Sequence, residues 1–132
     1  MYHAFRLEYG DDLVEGIDKY VKENSIKAAS IISGVGCVYE LRIRLADGKS
    51  IKTIKDNYEI VSLMGTISQD GAHLHISFSD IEGKVIGGHL LKGTLINTTA
   101  EICLVEFDNL DFKREHDENT GYDELVINKI EH

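Results

Sequence analysis

The tripeptide His73-Leu74-His75 and the run Gly87-Gly88-His89 hold the side chains of this chain best suited to bind a metal ion. On an extended strand, positions i and i+2 project to one face about 6.6 Å apart along the chain, so His73 and His75 share a face and Leu74 takes the other. Whether His89 joins them depends on strand register. A two-residue loop at Ile81-Glu82 would pair Asp80 with Gly83 and set His89 opposite Leu74, facing the core. A three-residue loop, Ile81-Glu82-Gly83, with Gly83 in the left-handed conformation such loops favour, pairs Asp80 with Lys84. His75 then lies opposite His89, Leu74 opposite Leu90, and Phe78 opposite Ile86. Only this second register sorts the apolar residues onto one face and the histidines onto the other.

Three imidazoles on one face match the protein ligands that catalytic zinc sites commonly use, with a fourth position left to water or another ligand. Imidazole also suits nickel, copper and iron, so zinc is the first expectation and another transition metal an alternative. Gly87 and Gly88 are expected to leave open surface beside His75 and His89. The competing reading is three partly exposed histidines engaged in ordinary hydrogen bonds.

Tyr2 to Tyr9 alternates with period two, as a strand does. Gly10-Asp11-Asp12 supplies a break and acidic residues suited to a helix start, and Leu13, Ile17, Tyr20 and Val21 recur at helical spacing. The spacing predicts one helix over Asp11 to Asn24. Ala28 to Ser33 and Cys37 to Leu45 read as two strands around a Gly34-Val35-Gly36 bend. Further strands are predicted over Ile51 to Ile54, Tyr58 to Ser68, Ala72 to Ser79, Lys84 to Leu91 and Ala100 to Phe107. Lys92 to Thr99 reads as a separator, Lys113 to Gly121 as a charged loop, and Tyr122 to Ile127 as a last strand. The expected class is α+β, a mostly antiparallel sheet of about seven strands with one main packed helix.

A length of 132 residues fits a single domain over 1–132. The formal net charge of −9, from 23 acidic against 14 basic residues, argues against independent DNA binding. A local basic segment remains at Arg42, Arg44, Lys49, Lys52 and Lys55. Cys37 and Cys103 are isolated and read as buried thiols. No secretion leader or membrane-spanning run is visible, so a cytoplasmic location and no membrane partner are expected. Gly34-Val35-Gly36 lacks the third glycine of a dinucleotide fingerprint, and no phosphate-loop motif occurs, so no nucleotide cofactor is predicted.

Gly71-Ala72-His73-Leu74-His75-Ile76-Ser77, Gly83-Lys84-Val85-Ile86-Gly87-Gly88-His89-Leu90 and Thr99-Ala100-Glu101-Ile102 together resemble the core signature of the plants-and-prokaryotes conserved (PPC) family. Gly10-Asp11-Asp12-Leu13, Ser33-Gly34-Val35-Gly36 and Glu59 to Ile67 extend the resemblance over nearly the whole chain. It implies an antiparallel sheet with a packed helix, a homotrimer, and for prokaryotic members the description of predicted DNA-binding proteins. Plant members carry the domain behind AT-hook motifs; this chain has no proline and hence no AT-hook. The family pattern also highlights Glu101, as a carboxylate to orient a ligand histidine, and Arg114, as a contact for an anion or acidic partner. The expected function is a homotrimeric, metal-holding binding and interaction module for a protein or small-molecule ligand. Two alternatives stay open: DNA binding, and a metal-dependent hydrolase or lyase, for which no catalytic residue is identifiable.

Overall fold

The computed structural model describes residues 1–131. Nine strands and one helix follow in the order β1 (Tyr2–Glu8), α1 (Leu13–Glu23), β2 (Ala28–Arg44), β3 (Ile51–Ile54), β4 (Tyr58–Ser68), β5 (Gly71–Ser79), β6 (Val85–Leu90), β7 (Leu95–Glu106), β8 (Leu110–His116) and β9 (Asp123–Lys129). Seven strands form the main sheet in the order β1-β7-β2-β4-β5-β6, with β3 on β2, and every pairing is antiparallel. β8 and β9 pair only with each other. The α+β expectation, with its single helix and largely antiparallel sheet, is met.

The helix forms where its signals lie. Asp12 caps it, its Oδ1 accepting from the backbone of Val14 at 2.9 Å and Glu15 at 3.1 Å. Its apolar stripe of Leu13, Ile17 and Val21 is buried against the sheet. The core is continued by Leu74, Ile76 and Phe78 of β5, by Leu41 and Ile43 of β2, and by Ile102 and Leu104 of β7. None of the described helices is long and apolar enough to cross a membrane.

Four expectations need correction. Gly34-Val35-Gly36 does not divide two strands: β2 runs unbroken for 17 residues. Its register shifts at Ile31/Ser33, Gly36/Cys37 and Val38/Glu40 let it bend while staying paired. It lies between β4 and β7 along its first part, and its end also meets β6. β7 begins at Leu95, within the expected separator, because Leu95, Ile96 and Asn97 pair with Glu40, Val38 and Cys37. Thr98, at φ 66°, kinks the strand there and breaks its alternation. Lys113 to His116 are strand, not loop. Their charges tolerate pairing because β8 buries only Phe112, which lies against Phe107 at a ring distance of 5.9 Å. The thiols of Cys37 and Cys103 are free and only half-buried.

Candidate metal centre

Two strands deliver the histidines, and a third closes on them. β5 presents His73 and His75 outward while Leu74 and Ile76 go into the core, 2% and 3% exposed. The turn after β5 fixes the register of β6. The Asp80 N–H donates to the Lys84 carbonyl at 2.9 Å, and the Gly83 N–H to the Asp80 carbonyl at 3.0 Å. The Asp80 carboxylate accepts from the backbone of Glu82 and Lys84, both at 2.9 Å. Gly83 takes φ 82°, where a Cβ would be strained. This is the three-residue loop, and it pairs His75 with His89 and Phe78 with Ile86. The end of β2 then closes on the far side of β6, setting Arg44 opposite His89.

The three rings form a compact triangle, with centroids 5.1 Å apart for His73 and His75, 5.3 Å for His73 and His89, and 5.8 Å for His75 and His89. One ligand nitrogen from each lies within 4.8 Å of the other two. A tetrahedral zinc would bring such nitrogens to about 3.4 Å, a closure within reach of side-chain rotation. Hydrogen bonding does not account for the cluster: the His89 Nδ1 is buried without a partner among the described residues. Such an orphaned nitrogen fits a site that binds an ion.

The surroundings favour the neutral form of His73 and His89, the state a metal ligand needs. Burial pushes His89 down to about 4, helped by the Arg44 guanidinium and then by the neighbouring histidines. Burial also lowers His73, followed by the charge of Arg114, with His75 and Arg44 adding to it.

Arg114 reaches this site. It sits on β8, its backbone N–H donating to Asp70 at 2.9 Å and its guanidinium to the Thr66 hydroxyl at 3.3 Å. With Arg44, His73, His89, Tyr122 and Glu124 it lines a cavity of about 590 Å³. Glu101 is not brought to the histidines. It is exposed on β7, opposite Arg6 on β1 and Val35 on β2, and the sheet order places β2 and β4 between it and β5. Gly87 and Gly88 do line open space beside His75 and His89. Their stronger requirement is close packing: a Cβ on Gly88 would meet the Arg44 carbonyl oxygen at 2.6 Å, and one on Gly87 the Ile76 carbonyl oxygen at 2.7 Å.

Sequence reasoning missed Arg44 and Tyr122 as site residues. Arg44 had a signal in its outward phase beside inward Ile43, but only the β2–β6 pairing places it. Tyr122 is supplied by the connection between β8 and β9, which carries no periodic pattern.

Comparisons with known proteins place this geometry in a family. The chain is 37% identical over 128 residues to the bifunctional protein GlmU of Synechococcus sp. (strain JA-3-3Ab), an alignment covering 97% of this chain and 21% of that protein. It thus spans about a fifth of the length of the curated relatives it matches first. A solved structure from Salmonella enterica superimposes with a TM-score of 0.94 at 32% identity, covering 98% of this chain and 94% of that one. A metal-containing protein from Archaeoglobus fulgidus does so with a TM-score of 0.83 at 28% identity, covering 96% and 93%. The family pattern itself matches residues 1–108, so the chain belongs to the Plants and Prokaryotes Conserved (PCC) domain family.

Proposed function

We propose that this chain is a homotrimeric binding module in which His73, His75 and His89 hold a transition-metal ion, zinc in the first instance, and present it to a small-molecule or protein ligand. The observation that carries the reading is the triangle of imidazoles whose ligand nitrogens lie within 4.8 Å of one another. The likeness to a metal-containing protein from Archaeoglobus fulgidus supports it. When bound, zinc on three imidazoles keeps a fourth coordination position for an exogenous ligand. The chain's own residues set the ligand orientation and keep His73 and His89 unprotonated.

Assembly has a separate motive. Ile32, Val35, Val61 and Met64, between 52% and 68% exposed, lie on the solvent side of β2 and β4, where apolar side chains of this size favour burial against another surface. Met64 is also the cross-strand neighbour of His75, so a second copy covering this face would border the histidines.

Elemental mass spectrometry of tag-free protein, wild type beside His75→Ala, tests the metal, with molar mass by light scattering on the same samples. One transition-metal ion per chain in wild type, lost in the variant, is the expected result, at three times the chain mass. Metal-free wild type after exposure to zinc would overturn the metal site, and a monomeric mass would overturn the assembly.

A further inference from the structure

The cavity beside the histidines carries a second set of groups that the metal reading does not use. Arg44 enters it from the end of β2 and Arg114 from β8, so two guanidiniums from distant parts of the chain converge on His73 and His89. Asp70, Asp123 and Glu124 line the same cavity. Among the described residues, neither guanidinium forms an ion pair with them or with any other carboxylate. The Asp70 carboxylate is instead engaged by the backbone N–H of Arg114.

The Arg44 Nε is buried and has no hydrogen-bond partner among the described residues, an arrangement that costs stability unless something meets it. Arg114 commits one guanidinium nitrogen to Thr66 at 3.3 Å and, among the described residues, no other guanidinium nitrogen to a side chain. A guanidinium offers five N–H donors in a planar fork that matches a carboxylate or phosphate. Two such forks beside an open coordination position make a receptor for an oxyanion.

We propose that this cavity binds a small molecule carrying one oxyanion group, a carboxylate or a phosphate, that bridges the histidine-held ion and the guanidiniums of Arg44 and Arg114. This rests on the metal reading above. The volume of about 590 Å³ suits a small metabolite. Asp123 and Glu124 on the same wall oppose a polyanion, and favour a ligand whose remainder is neutral or cationic. Arg114, Asp123 and Glu124 lie beyond the 1–108 span of the family pattern, so ligand choice at this wall depends on the β8–β9 hairpin.

Calorimetric titration of zinc-loaded protein with succinate, glycerol phosphate and imidazole tests the inference, with zinc content measured on every sample. Wild type is expected to bind at least one of the two oxyanions, and the preferred one identifies the source of the group. Arg114→Gln and Arg44→Gln should each weaken it about tenfold or more while retaining zinc and leaving imidazole binding unchanged. Arg44→Lys, which keeps the charge without the fork, should recover part of the loss. Zinc-loaded wild type that binds neither oxyanion, or both Gln variants that bind as tightly as wild type, would overturn the oxyanion site alone. Wild type that fails to take up zinc would overturn it together with the metal reading.

Discussion

His89 has the least freedom to take a proton. Its ring is held down to about 4 by burial first and by the Arg44 guanidinium next, whereas an unfolded histidine titrates near 6.5. Between those values the unfolded chain binds a proton that the folded chain refuses. Stability is therefore unaffected by this group above about pH 6.5 and falls as the pH drops from there toward 4. In metal-free protein, the His89 ring resonances followed by NMR should show a midpoint near 4. A midpoint at the ordinary value would mean that the ring is solvated and the guanidinium distant. At this scale the histidines were legible because a period of two and one glycine turn decide where each ring points. Arg114 was legible as a candidate but not as a neighbour of His73. Glu101 was misleading, since a carboxylate in an apolar strand looks like a buried partner until the sheet order puts β2 and β4 in between.

The strands that carry these residues depend on two backbones meeting where β6 crosses the end of β2. Thr94, fully buried, secures that junction: its hydroxyl accepts from the Arg42 N–H at 3.0 Å and sits 3.2 Å from the Arg42 and Leu91 carbonyl oxygens. Gly88 allows the approach. Gly88→Ala places a Cβ 2.6 Å from the Arg44 carbonyl oxygen, which belongs to the backbone and cannot swing aside. Overpacking of this kind costs about 1–3 kcal/mol. Urea denaturation should show that loss, and metal content should fall with it because His89 and Arg44 are displaced together. An unchanged midpoint would show that the two strands tolerate separation. The β5–β6 hairpin could be read from sequence because its partners are adjacent in the chain. The β2–β6 contact could not, since Arg44 and His89 stand 45 positions apart, with β3, β4 and β5 between them in the chain.

For the molecule as a whole, charge decides the choice of large partner. A net charge of −9 repels a polyanion, and Lys55, part of the one basic segment, is already placed 4.0 Å from Glu40. Fluorescence anisotropy with duplex DNA at low salt should therefore show no saturable binding; a saturable signal with a steep salt slope would establish a basic interface and overturn this expectation. The β2 strand has a further bearing on how the protein is made. β3, β4, β6 and β7, all the strands that pair with it, lie later in the sequence. On the ribosome β2 emerges before any of them. Ala28 to Tyr39 contains no charged residue and no proline, leaving Lys27 and Glu40 as its only flanking charges. Such a stretch is prone to self-association while unpaired. Nascent chains arrested before β4 should therefore engage chaperones, and those extended past β7 should be released from them.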